Sequence, residues 1–336
     1  MKDKKLIILI STALLLIAAF FIVNIGTDKN ITKQTSKNVF FIKDYSKIDK
    51  IIIQNKTDNL ELDSKDNSWY IANKYKYRAD IQKVADFMES IAAIQPIQEI
   101  TKNREFHKRL GLSFPNDING EGTEITLSSQ GRPLIVIVTG NSRKDVEGSI
   151  SNSGQYARKF DEDNVYLLEQ KIEAKTDPLK WINRHILNIN EEDIAVINII
   201  GRSKSDSYKI LRVKKGDKLV LEDHSGKKVK DASLINLSLT FADINIDDVF
   251  DAENSKFKGI ILRPSAVIEL FNGMVYTFNL AEVDKKSFIK IVVTNTSAGD
   301  SKEAISEQGL LQDWIYVIPL QVKDSLIKKK SELFER

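Results

Sequence analysis

Three histidines, short acidic clusters, two basic runs and one aromatic and basic pair are the groups in this 336-residue chain from which chemistry could be built. His107, His185 and His224 stand far apart in Phe-His-Lys, Arg-His-Ile and Asp-His-Ser contexts. A metal centre needs ligands at short helical or turn spacing, and none of the three has such a neighbour. They read as surface or half-buried side chains. The chain has no cysteine, which removes disulfides, thiolate nucleophiles, cysteine metal sites and an acylated lipoprotein anchor. No nucleophile elbow, phosphate loop or dinucleotide fingerprint is present, and Gly148 to Gly154 has the wrong flanks for any of them, so it reads as a hairpin loop. No catalytic, cofactor-binding or metal-binding residue, and no cofactor, is therefore expected.

Asp161-Glu162-Asp163 and Asp247-Asp248 carry enough oxygen for calcium, yet the first lacks the spaced ligands and central glycine of a calcium loop. Turns explain both better. The basic runs at residues 212–215 and 227–230 fall where strand and turn residues face water. Tyr156 and Arg158 are the candidate interaction residues: two apart on a strand, they share one face, and an aromatic beside a guanidinium is a favoured interface anchor when both point outward. The competing reading is a pair that simply packs the sheet. Charged residues make up 29% of the chain with a net charge of only +3, so no field marks a nucleic-acid partner.

Short alternating runs surround these groups. Residues 48–54, 59–63 and 68–72 suit half-buried strands, and residues 78–95 place Ile81, Val84, Ala85, Met88, Ile91 and Ala92 at helical spacing before Pro96. Strand signals return at residues 124–128, 134–139, 155–159 and 164–168, and a helical segment is expected around residues 171–183. The second half repeats the order: strands at 194–199, 208–211 and 219–221, a helix at 231–244, strands at 267–270 and 314–318, a hairpin glycine at Gly273 matching Gly131, and a final helix at 321–334. A period of about 150 residues is too long for a solenoid and indicates a duplicated domain. The fold class expected is α+β: two tandem, internally duplicated modules of mainly antiparallel sheet with covering helices, at residues 45–190 and 191–336.

Ahead of them, residues 6–25 are apolar and uncharged. As a helix they would reach about 30 Å, the thickness of a bilayer's hydrocarbon core. The run is longer than a signal peptide's apolar region, and Asn24-Ile25-Gly26-Thr27-Asp28 is a poor cleavage site. It is expected to stay as a transmembrane helix, with residues 1–5 as a cytoplasmic tail and residues 26–44 as a linker. Lys4 and Lys5 at the apolar edge favour a cytoplasmic N-terminus.

The anchor, the strand ending in Trp69-Tyr70, the helix opened by Ala79-Asp80, Leu110-Gly111-Leu112, and Tyr156-Ala157-Arg158 before Val165-Tyr166-Leu167 together resemble the domain of unknown function 4340 family. The resemblance covers roughly residues 45–190. The second half carries a degraded version, with Leu262-Arg263-Pro264 and Phe288-Ile289-Lys290 near where Leu-Gly-Leu and Tyr-Ala-Arg would fall. The resemblance implies an exported, membrane-tethered bacterial protein, often encoded beside a transporter similar to the gliding-motility type of ATP-binding-cassette system. It implies no reaction and supplies no catalytic residue.

The expected function is that of a non-enzymatic module of the cell envelope. Anchored in the inner membrane with its bulk on the periplasmic or extracellular side, it would bind a transporter component, another envelope protein or an envelope polymer. Its expected partners are the lipid bilayer and such a component, with no nucleic acid. The alternative is an enzyme or small-ligand-binding protein whose site lies in a cleft between the modules.

Overall fold

The computed structural model describes residues 39–143, 154–224, 226–296 and 302–335, and everything from Phe40 onward belongs to one compact unit. The apolar segment at 6–25 and most of the loop at 148–154 lie outside the described residues. Among the described residues no helix is long and apolar enough to cross a membrane.

Alternation in the sequence becomes antiparallel sheet. In the first half the strands are β1 (Lys50–Gln54), β2 (Asn59–Lys65), β3 (Ser68–Ile71), β4 (Tyr77–Arg78), β5 (Pro96–Thr101), β6 (Thr123–Ser129), β7 (Arg132–Ser142), β8 (Gln155–Lys159) and β9 (Val165–Leu168). They form one sheet in the order β4-β3-β2-β1-β6-β7-β8-β9-β5. Register follows the period-2 pattern: Ile51 lies opposite Leu62 and Leu127, and Ile53 opposite Leu60 and Ile125, so one face is continuously apolar. Helix α1 (Ile81–Ala92) buries Val84, Phe87 and Ile91. Asp80 caps it, its carboxylate accepting from the backbone N–H of Gln82 at 3.0 Å.

Two short strands link the halves: β10 (His185–Asn188) pairs antiparallel with β14 (Asp243–Asn245) as a separate two-stranded sheet. The remaining strands are β11 (Ile194–Ile199), β12 (Tyr208–Leu211), β13 (Val220–Leu221), β15 (Asp248–Asp251), β16 (Arg263–Leu270), β17 (Met274–Val283), β18 (Lys286–Asn295) and β19 (Trp314–Ile318). Their order is β13-β12-β11-β16-β17-β18-β19-β15, strand for strand that of the first sheet apart from β4. Helix α2 (Asp231–Ala242) packs Phe241 against Phe278 of β17 at 5.2 Å, and α1 packs Phe87 against Trp181 at 5.3 Å. The loop-side clusters also correspond. Leu112, Val165, Ile100 and Tyr156 in the first half occupy the places of Leu262, Ile315, Phe250 and Phe288 in the second. Even isolated bridges recur, with Ala79 against Ile182 and Val229 against Phe334.

Three departures from the sequence expectation have local causes. Residues 171–183 are not α-helical; they carry a single 3-10 turn at Pro178–Lys180, because Asp177 caps it and the Ala79–Ile182 bridge pulls the chain into an extended path. The final helix also breaks. Helix α4 (Leu320–Leu326) stops at Ile327, and a new 3-10 turn at Lys330–Leu333 starts where the Lys329 N–H donates to the Glu332 carboxylate. The third departure is an insertion. Between β18 and β19 the chain adds helix α3 (Lys302–Leu311), whereas β8 and β9 are joined by a short turn.

Candidate binding cleft at the junction of the two sheets

The residues singled out by sequence do not converge. Arg158 is only 3% exposed, which corrects the expectation of an outward-pointing anchor. The strand alternation does put Tyr156 and Arg158 on one face, but the loop at 104–122 lies over it. Arg158 Nη1 donates to the carbonyls of Lys159 and Phe160 at 3.0 Å, its Nη2 donates to that of Leu112 at 3.2 Å, and its guanidinium stacks 4.4 Å from the Phe114 ring. Desolvation draws its pKa below the usual arginine value, yet the group stays charged. Tyr156 is half-buried against Leu112, Val138 and Val165. His107 is buried with Nε2 2.9 Å from the Asp163 carbonyl, and His185 at the surface has Nδ1 3.0 Å from an Asp243 oxygen. No group of three or more metal-ligating side chains occurs among the described residues.

The acidic and basic runs likewise serve the fold. Arg212 is buried and bonds Glu191 through both its carbonyl and its carboxylate at 2.6 Å, Lys215 pairs with Asp193, and Lys228 with Glu335 at 2.8 Å. Asp248 meets Lys74 at 2.7 Å across the junction of the two halves.

That junction is where the structure concentrates unusual features. The turn between β3 and β4 closes with the Tyr77 N–H on the Lys74 carbonyl at 2.9 Å and places both Tyr75 (φ 54°) and Lys76 (φ 56°) in the left-handed region. Such turns favour Asn and Gly, and the corresponding turn between β2 and β3 does use Asp66 and Asn67. A bulky residue held there costs of order 1 kcal/mol or more. Contacts from the second half hold it. The Lys74 ammonium lies 4.9 Å from the Phe250 ring centroid, Tyr75 packs on the same ring at 6.2 Å, and Asn254 Nδ2 donates to the Tyr75 hydroxyl at 3.0 Å. Beneath the turn, Tyr77 sets its ring edge-on to Trp314 at 4.9 Å and to Tyr316 at 6.4 Å. Burial pushes the Tyr77 phenol up to about 12 and the Tyr316 phenol up as well.

The same aromatic position exists in the first half, with a different occupant. Tyr166, which pairs with Ala157 as Tyr316 pairs with Ile289, is met edge-on at 5.8 Å by Phe40 from the chain's own leading segment. Each sheet thus offers an aromatic socket beside its last strands. In the second sheet the first half fills it.

Alongside this contact runs a cleft of about 680 Å³, a size suited to small ligands. Tyr75 and Lys76 of the β3–β4 turn, the residues at the end of β15, Gln308 of the inserted α3 and Gln312 just after it line the cleft. Gln308 is fixed by accepting from the Val293 N–H at 2.5 Å, and its own amide donates to Gln312 at 3.3 Å. Lys290, which stands where Arg158 stands in the first half, also lines the cleft. Sequence reasoning missed the site because its walls come from segments more than 170 residues apart. The one local signal was Tyr75-Lys76, a connection between two short strands with no glycine, Asn or Asp at the two positions next to β4.

On the same element, Glu307 of α3 is partly buried, and desolvation raises its pKa, with Arg78 opposing in part. A carboxyl whose folded-state pKa is raised holds its proton after the unfolded chain has lost it. Its contribution to stability therefore falls as pH rises from the ordinary glutamate value through the raised one. Glu307→Gln is expected to raise the thermal midpoint at neutral pH relative to the parent, with the gain vanishing in acid; scanning calorimetry across that range checks it.

Mostly antiparallel sheets covered by a few helices define an α+β protein. The family model described as a domain of unknown function (DUF4340) matches residues 69–260, more than half of the chain, and the chain belongs to that family. The match begins at Trp69 in β3 and ends at Ile260 in the second half, so it spans the junction rather than stopping at residue 190. No curated protein and no solved structure matches.

Proposed function

We propose that this protein is a single-pass, membrane-anchored component of the cell envelope that binds a partner without catalysing a reaction. Residues 6–25 anchor it in the inner membrane, and two tandem modules descended from a duplicated domain stand on the periplasmic or extracellular side. The partner is a transporter component of ATP-binding-cassette type, another envelope protein or an envelope polymer. The observation that carries this reading is the junction. A strained turn, an ion pair, a hydrogen bond and stacked aromatic rings are all directed to holding the two halves in one relation, the construction of a rigid presenting surface. The cleft beside it favours a second reading, in which a small ligand rather than a protein is held between the modules.

Purification of the full chain from detergent-solubilised membranes tests the first reading. A membrane protein recovered in stoichiometric amount, together with digestion of the body by protease added to spheroplasts, is the expected result. A monodisperse chain carrying no other protein, or a body shielded from that protease, contradicts it.

A further inference from the structure

We infer that the junction cleft binds a neutral, polyhydroxylated chain, an oligosaccharide segment of an envelope glycan. The inference deepens the proposed function, on which it rests, by naming the class of polymer the cleft takes. Four observations lead to it.

First, Tyr75 is 40% exposed at the cleft wall although its backbone is held in a costly conformation. A residue that contributes little to the core, yet whose hydroxyl is held by Asn254 and whose turn is pinned by the ion pair of the adjacent Lys74 with Asp248, is positioned for something outside the core. Second, the cleft places aromatic surface from Tyr75 and Trp314 beside the side-chain amides of Gln308 and Gln312. Aromatic faces take the apolar C–H face of a sugar ring, and amides and carboxylates take its hydroxyls as donors and acceptors. Third, Asp251, Glu253 and Asp313 are nearly balanced by Lys76 and Lys290. A polyanion or polycation would meet like charge among these side chains, whereas an uncharged ligand meets no like charge. Fourth, the cleft is lined in part by the inserted helix α3, for which the β8–β9 turn of the first half has no equivalent. The insertion supplies Gln308 to the cleft, and Gln312 follows directly after its last turn.

Calorimetric titration of the full-length chain, reconstituted in lipid nanodiscs so that no glycosidic detergent competes, tests the inference. The probes are the tetramer of N-acetylglucosamine and maltotetraose, with polyglutamate as a charged counterpart. Saturable binding of a neutral probe is expected, weakened by about tenfold or more in Gln312→Ala and Trp314→Phe. Gln312 is exposed near the end of α3, so its variant remains informative if Trp314→Phe unfolds. Lack of saturation by either neutral probe up to about 10 mM, undiminished binding in both variants, or preference for polyglutamate would overturn the assignment. If sugars fail while a membrane protein still co-purifies, the glycan is wrong and the partner-binding function stands. If both fail, the function itself falls.

Discussion

Tyr77→Ala is expected to destabilise the protein by about 3–5 kcal/mol, the range for removing a buried aromatic ring, and to turn one unfolding transition into two. Tyr77 is fully enclosed, and its ring meets Trp314 and Tyr316, both from β19 of the second half. Truncation leaves a cavity between the halves, where neither can relax to fill it without moving as a unit. Each half has its own sheet, covering helix and loop-side cluster, so separation is a route open to the variant. The phenol matters less. Its hydroxyl donates to the Asn183 carbonyl at a long 3.3 Å, and Tyr77→Phe should cost only about 1 kcal/mol. Urea unfolding followed by circular dichroism and tryptophan emission distinguishes the two variants.

Arg158→Met is expected to cost about 2–4 kcal/mol, because the guanidinium joins the carbonyl of Leu112 to those of Lys159 and Phe160 and each buried acceptor left bare costs about 1–3 kcal/mol. Among the described residues no carboxylate lies within salt-bridge distance of this guanidinium, whose hydrogen bonds all go to backbone carbonyls, so the planar fork, rather than ion pairing, carries the effect. Arg158→Lys should therefore be destabilised nearly as much as the methionine variant, since an ammonium cannot span the same carbonyls or stack on Phe114. Amide exchange should rise at residues 104–122 in both variants while α1 and β1 stay protected. An Arg158→Lys protein as stable as the parent would show that charge alone suffices.

The sheets were legible because their information is local. Ile51 and Ile53, Leu60 and Leu62, Ile125 and Leu127 alternate in sequence and fall on one buried face, and Gly131 and Gly273 mark hairpins through their positive φ. The helix over residues 78–95 appears as α1, shortened at its ends by Asp80 and Pro96. What periodicity could not resolve was whether a short polar and apolar segment winds as α-helix or as one 3-10 turn. At residues 171–183 and 327–334 that choice is made by Asp177, Glu332 and bridges to distant strands.

The Tyr156 and Arg158 pair shows the same limit. Alternation fixes which face the two share, but a loop some forty residues upstream decides whether that face sees water. The cleft was less legible still, since Tyr75 and Glu253 meet only after two sheets have formed and docked. The correspondence of Tyr166 with Tyr316 is visible in the sequence, but their different partners, Phe40 and Tyr77, are not.

The claim on which this account depends is that the junction holds the two sheets as one body. The absence of native cysteine makes it directly measurable by electron–electron spin distance after placing one label on each half, through Glu121→Cys and Lys286→Cys, both exposed positions. A single narrow distance distribution in the otherwise native chain, broadened when Tyr77→Ala is added, is the expected result. A broad or two-peaked distribution without the junction change would contradict it.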